Sequence, residues 1–259
     1  MTATLEDVKQ YWNDRPCNVR HSPKEVGTRE YYDEVEAKRY YAEPHIPDFA
    51  DFKSWKGKKV LEVGCGMATE GINFARYGAE YNATDLSEES LNLAKKRFEV
   101  YNEKGDFYLG NSEELSSFLP LNTYDLIYSF GVIHHSLRPD RIISELKQYM
   151  NKDSNLKIML YASESWKNYM IEAGYDQPEA QYGCPIAHTY TKDEVRELLD
   201  GFDVTIEQNH IFPYQIEPYK RGEFVKQPWF EAMPDEIFEV LKKNLGWHLL
   251  ITAKLEDKE

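Results

Sequence analysis

Cysteine is scarce in this chain. Its 259 residues hold three, Cys17, Cys65 and Cys184, far apart and without a CxxC pair. That usage argues against a disulfide framework or a cysteine-based zinc site and fits a reducing cytoplasm. Long apolar runs are missing too. None approaches the ~18 residues of a membrane span, so no membrane partner is expected. The first residues, Met1-Thr2-Ala3-Thr4-Leu5-Glu6-Asp7, are acidic and lack the apolar stretch of a signal peptide. Basic runs are limited to Lys95-Lys96-Arg97, which reads as one turn of a solvated helix face. The net charge of -14 repels phosphate backbones, so no nucleic-acid partner is expected either. The seven histidines are scattered without metal-ligand spacing, and no metal site is expected. Internal repeats and low-complexity segments are absent.

What is present is ordinary in bulk, with 41% hydrophobic and 29% charged residues. The 19 tyrosines are the exception, and point to a thick aromatic core or a pocket lined with phenols. Residues 1–56 read as a polar helical cap, with helices near Leu5–Trp12 and Thr28–Arg39 and prolines between and after them. From residue 57 to 259 the pattern alternates between strand and helix. Val60–Val63, Tyr81–Asp85, Asp106–Leu109, Tyr124–Phe130 and Leu156–Tyr161 read as strands. Helices are expected over Thr69–Tyr77, from Ser87 to Tyr101, over Arg138–Met150 and from Thr191 to Leu199. Strands separated by helices predict an α/β fold with a parallel sheet covered on both faces. Val204–Gln208 and His248–Ala253 read as two late strands, joined by a proline-broken excursion and suited to an antiparallel hairpin at the sheet edge. Segments near 162–190 and 212–245 are candidate insertions over a site.

The most informative stretch is Glu62-Val63-Gly64-Cys65-Gly66-Met67-Ala68-Thr69-Glu70-Gly71, followed by Asp85 at the end of the next strand. Gly64 and Gly66 allow a sharp turn and a close ligand approach. An acid about twenty residues on is placed to accept both hydroxyls of a ribose. The third glycine of a dinucleotide fingerprint is replaced by Thr69, which demotes a nicotinamide-dependent oxidoreductase. Glu62 beside the loop would repel a pyrophosphate and tolerate a cationic ligand.

These residues resemble the class I S-adenosylmethionine-dependent methyltransferases, in their small-molecule branch. Three further stretches carry the resemblance: Ala83-Thr84-Asp85-Leu86-Ser87, Gly110-Asn111-Ser112-Glu113-Glu114-Leu115, and Tyr124 through Ser129-Phe130-Gly131-Val132-Ile133-His134-His135. It covers about Lys59 to Tyr161 well and the rest loosely. It implies a Rossmann-like doubly wound sheet, mostly parallel, with an antiparallel C-terminal edge strand. It implies S-adenosylmethionine as cofactor, S-adenosylhomocysteine as product and in-line methyl transfer to a small molecule by a monomer or homodimer. Glu62, Gly64, Cys65 and Gly66 would border the methionine part and Asp85 the ribose. Leu86, Asn111 and Ser112 would flank the adenine, and Ser129, Phe130 and Gly131 the sulfonium side. The family often has an Asp where Asn111 stands, though an amide oxygen can still accept a hydrogen bond. A non-catalytic S-adenosylmethionine-binding protein keeps the same residues. The segment after the fourth strand is not of the Asn-Pro-Pro-Tyr type, which disfavours amino-group methylation of DNA bases or protein glutamine.

His134 and His135 follow the fourth strand, where a general base would meet the acceptor. The plainer alternative is that one packs under the cofactor and the other orients a loop. Arg15, Arg20 and His21 sit in a polar loop able to hold an anionic substrate. Tyr32 is a further substrate candidate. Tyr161, Trp166, Tyr182, His188 and Tyr190 follow the fifth strand, where such enzymes build the acceptor pocket.

Overall fold

The computed structural model describes residues 3–175 and 183–256. Its strands are β1 (Lys59–Val63), β2 (Glu80–Asp85), β3 (Asp106–Leu109), β4 (Leu126–Phe130), β5 (Asn155–Ala162), β6 (Thr189–Tyr190), β7 (Phe202–Asn209) and β8 (His248–Leu255). The helices of the first half are α1 (Leu5–Asp14), α2 (Arg29–Ala42), α3 (Ile46–Ala50), α4 (Gly71–Arg76), α5 (Glu88–Tyr101) and α6 (Pro139–Lys147). Those of the second are α7 (Trp166–Glu172), α8 (Lys192–Leu198), α9 (Ile216–Lys220), α10 (Pro228–Glu231) and α11 (Asp235–Leu245).

The strands form one sheet in the order β3-β2-β1-β4-β5-β8-β7, with β6 paired to the end of β5. β3, β2, β1, β4 and β5 run parallel. β8 is antiparallel to both β5 and β7. The C-terminal hairpin therefore lies at the edge as expected, but the chain-terminal strand is inside it and β7 is outermost. The physical reason is burial. β8 is buried along most of its length, whereas β7 alternates buried or half-buried positions with exposed Asp203, Thr205 and Glu207, the pattern an edge strand tolerates.

Each face of the sheet carries its own apolar layer, because successive side chains point to opposite sides. Leu61, Val63, Ile127 and Ile158 pack with Ile142, Ile143 and Leu146 of α6 and Val195 of α8. Val60, Leu126 and Tyr128 pack on the other side with Ile72 and Phe74 of α4 and Leu91 and Phe98 of α5. Burying each such side chain contributes about 1.5–3 kcal/mol. Ile46, Ala50 and Phe52 join the second layer, so the N-terminal region shares the domain's core.

Helix starts follow local chemistry. Ser87 accepts the Ser90 N–H at the head of α5, and Thr4 and Thr191 form capping boxes at α1 and α8. One expectation is overturned at α5. Arg97 is fully buried rather than solvated, donating to the carbonyls of Met67 (3.2 Å) and Tyr32 (3.0 Å) and to Thr69 Oγ1 (2.5 Å). A fork with five donors can satisfy three acceptors at once, and this one ties α2 to the loop after β1.

Candidate active site

Helix α4, after β1, packs on one face of the sheet and α6, after β4, on the other. Ligands of an open α/β sheet sit outside the strand ends at such a divide. A cleft opens there. The β1–α4 loop, the end of β2, the Asn111–Glu113 turn and the segments Phe130–Val132 and His135–Leu137 form its walls. Leu5, Val8 and Trp12 of α1 form its roof.

The two glycines do different work. Gly64 has φ +74°, and a Cβ there would lie 2.4 Å from Val132 Cγ1, so the fold itself needs a glycine. Gly66 has φ +54°, borders the cleft, and a Cβ there would meet nothing within 4 Å. Thr69 is explained by Arg97, whose guanidinium its hydroxyl accepts. Close helix–strand packing passes to Gly71, where a Cβ would meet the Tyr81 hydroxyl at 2.2 Å.

Asp85 spans the mouth of the loop. Its Oδ2 accepts the Gly66 N–H at 2.7 Å and its Oδ1 the Ser87 N–H at 2.8 Å. Burial raises its carboxyl above the usual range, and the N–H groups of Ser87, Gly66 and Leu86 work against that rise. Each carboxylate oxygen keeps a lone pair beyond these bonds, which fits an acceptor of two ribose hydroxyls. Asn111 Oδ1 accepts the Glu113 N–H at 3.1 Å, which orients the amide at the cleft wall.

The cleft is acidic. Burial, reinforced by Glu70, holds the Glu62 carboxyl well above its ordinary value, against a 2.5 Å hydrogen bond from the Tyr81 hydroxyl. Arg39 donates to Glu70 at 3.1 Å and also to Glu43. Four carboxyl groups, Glu62, Glu70, Asp85 and Glu113, thus line the cleft against one guanidinium, that of Arg39. Such a charge pattern suits a cationic ligand and repels a pyrophosphate.

Most predicted cofactor residues line this cleft: Glu62, Gly64, Cys65, Gly66, Asp85, Leu86, Asn111, Ser112, Phe130 and Gly131. Ser129 does not. It is buried, and its hydroxyl donates to the Val63 carbonyl at 2.9 Å, clamping β4 to β1.

The paired histidines separate. His135 lines the cleft 5.1 Å from the Trp12 ring. Its Nδ1 lies 2.5 Å from the Ile186 carbonyl, which can only accept, so Nδ1 carries the proton and Nε2 is the basic nitrogen of the neutral ring. His134 is fully buried, its ring tilted by 31° against that of Tyr161 with centroids 3.8 Å apart, and burial drives its pKa well below the usual range. It is out of a ligand's reach.

The expected substrate residues lie outside this cleft. Tyr32 is core, its hydroxyl donating to the Leu93 carbonyl at 2.8 Å. Tyr161 is buried between His134 and Trp247. Trp166 packs on Phe230, and Arg15 sits over the Tyr11 ring. His21 is held unprotonated to about 3 by burial, with Arg39 and Lys38 adding to the shift. His188 is exposed with Nε2 3.2 Å from the Ser136 carbonyl, and Tyr190 is half-buried in β6. Arg20 forms part of a single 3-10 turn, and Tyr182 lies outside the described residues.

Wall residues not foreseen include Leu5, Val8, Trp12, Arg39 and Glu70. The roof did leave a signal: Leu5, Val8 and Trp12 recur at spacings of three and four, one face of a helix. Arg39 and Glu70 left none, since their pairing joins positions 31 residues apart.

Strand order, glycine loop and strand-end acid together define the class I S-adenosylmethionine-dependent methyltransferase fold. The family model described as a methyltransferase domain matches residues 54–203, and the chain belongs to that family. Among curated proteins it is 31% identical to the ubiquinone biosynthesis O-methyltransferase of Photobacterium profundum, over 34% of this chain and 37% of that protein. It is 25% identical to the protein of that name from Salmonella paratyphi A, over 62% of this chain and 67% of the relative. The chain thus spans well under half of the first relative's length. Among solved structures, magnesium protoporphyrin IX methyltransferase from Synechocystis PCC 6803 with bound SAH superposes with a TM-score of 0.63, at 15% identity, over 98% of this chain and 100% of that one.

Proposed function

We propose that the chain is an S-adenosylmethionine-dependent enzyme that moves a methyl group to a small-molecule acceptor. The observation that carries this reading is Asp85 bridging the Gly66 and Ser87 N–H groups at the mouth of an acidic cleft. When bound, the cofactor supplies a methyl group on a cationic sulfur and is left as the neutral thioether. Gly64 and Gly66 bring backbone against it, and Glu62, Glu70 and Asp85 balance its charge. Trp12 and the rest of the α1 face roof the cleft and exclude water. His135 Nε2 takes the acceptor's proton while Nδ1–H stays on the Ile186 carbonyl, so the ring needs no reorientation. Holding the acceptor in line with the methyl carbon supplies several kcal/mol of the barrier reduction.

The family match and the relatives' names support a small-molecule acceptor. The net charge of -14 speaks against nucleic acid as substrate. Among the described residues no helix is long and apolar enough to cross a membrane. We read the chain as a cytoplasmic monomer or homodimer, with residues 1–56 as the cap of the 57–259 domain. The roof formed by α1 supports the cap assignment.

The test is release of S-adenosylhomocysteine from S-adenosylmethionine in the presence of a metabolite pool. Turnover that depends on the pool supports the reading. Cofactor binding without turnover over a broad pool would leave a binding protein. Binding of a nicotinamide dinucleotide in preference would favour an oxidoreductase.

A further inference from the structure

The linear spacing of the histidines gives no metal motif, yet folding brings three of them together. His45 precedes α3, His210 follows β7 and His248 opens β8. Each offers one ring nitrogen, and the three nitrogens lie within 4.8 Å of one another. His45 Nε2 and His248 Nδ1 are 3.0 Å apart. The ring centroids are separated by 5.1 Å (His45–His248), 5.2 Å (His45–His210) and 4.4 Å (His210–His248). Nitrogens bound tetrahedrally to one zinc-like ion at about 2.0–2.1 Å stand roughly 3.3 Å apart. The three rings are therefore within small side-chain adjustments of a shared ion. We propose that His45, His210 and His248 form a binding site for one divalent transition-metal ion of the zinc and cobalt class.

Two further features support a built site. The other nitrogen of His248, Nε2, faces Glu43 Oε1 at 3.6 Å. A carboxylate behind a ligating imidazole fixes its tautomer and raises its basicity. His210 is held at φ +74°, a left-handed conformation that side chains rarely adopt. The Asn209 side chain accepts its N–H at 2.7 Å, and its carbonyl accepts the Trp247 N–H, also at 2.7 Å. Backbone strain of about 1–3 kcal/mol persists only where the surroundings enforce it, and here it aims an imidazole at His45 and His248.

The charges around the cluster are compatible with a cation. Arg39 is paired with Glu43 and Glu70, and Lys242 with Glu239 at 2.7 Å. Lys167 stands over the Trp247 ring at 5.9 Å. Neutral imidazoles without a thiolate select zinc, cobalt, nickel or iron over calcium and magnesium. Three protein ligands leave a fourth position for water or for an oxygen, nitrogen or sulfur of a second ligand, as in catalytic rather than structural sites. The site lies behind the cleft wall. The Phe130 ring, part of that wall, is 5.6 Å from His248 and 6.0 Å from His45. Glu43, which faces His248, pairs with Arg39, and Arg39 pairs in turn with Glu70 at the cleft.

The experiment is titration of chelator-stripped full-length protein with Co(II), read by its visible ligand-field absorption, with metal content after desalting as the second readout. Neither needs turnover or an identified acceptor. Saturation at one ion per chain, with competition by Zn(II), is expected. His45→Ala and His210→Ala should each lose uptake at least about tenfold, while Glu43→Gln weakens it by roughly 10-fold. Each variant is checked for its thermal shift with S-adenosylhomocysteine, so loss of metal is distinguished from loss of fold. Wild-type protein that takes up no Co(II) or Zn(II) overturns the proposal whatever the variants do. So does uptake unchanged in folded His45→Ala and His210→Ala proteins.

Discussion

The two sides of the cleft are built in opposite ways. The side under the proposed cofactor comes from strand ends of a parallel sheet, where Asp85 closes β2, Gly64 and Gly66 follow β1 and Asn111 follows β3. The covering side comes from α1 and α2, which precede the sheet, and beyond it the His45–His210–His248 cluster joins chain segments far apart in sequence. Strand-end residues are fixed by the ladder itself. Covering residues are fixed only by packing between remote elements, so they should tolerate change better in fold and still alter what binds.

The largest effect that would break this contrast is at Gly64. Gly64→Val forces a β-branched residue to φ +74° and into Val132. It should cost about 2–5 kcal/mol of stability by urea unfolding, from strain plus overpacking. Gly66→Val shares the left-handed strain at φ +54° but its Cβ meets nothing within 4 Å, so it escapes the overpacking, should keep more of the fold and should lose S-adenosylhomocysteine binding by calorimetry. Equal stability losses at the two positions would erase the distinction.

Asp85→Ala leaves the Gly66 and Ser87 N–H groups without their acceptor. A cofactor affinity loss of about 1.5–3 kcal/mol, roughly 10- to 150-fold, is expected by calorimetry. Tyr32→Phe removes only the bond to the Leu93 carbonyl. It should cost about 1 kcal/mol of stability and leave affinity and turnover unchanged, because the side chain is core.

The smallest effect is a pH dependence. The Glu62 carboxyl is raised by burial, so its contribution to stability is full below the ordinary carboxylate range. That contribution fades as pH rises through the raised value. A cationic ligand favours the ionised form, so its affinity should rise with pH over the same window. Glu62→Gln should flatten both trends, measured as thermal midpoint and calorimetric affinity across pH. Unchanged slopes would remove Glu62 from the account of charge selection.

The same contrast explains what the sequence revealed. Sheet, helices and cofactor wall were legible because Val60–Val63, Gly64, Gly66 and Asp85 stand in a fixed order along the chain, and periodicity marks the strands around them. Arg97 was misread as solvated because a basic run on a helix gives no hint of the Met67, Thr69 and Tyr32 oxygens awaiting it. Ser129 lies in β4, where alternation turns it inward, and His134 lies in the turn after β4, packed against Tyr161; spacing alone leaves both orientations open. The three histidines were invisible for a similar reason: His45 stands before the sheet begins, whereas His210 and His248 flank its last strands.

The most direct test of the central claim is calorimetric titration of the wild-type chain with S-adenosylhomocysteine, repeated on Asp85→Ala. The account predicts saturable binding at one site, weakened at least tenfold in the variant. No binding to the wild-type chain, or equal affinity in both proteins, would contradict it.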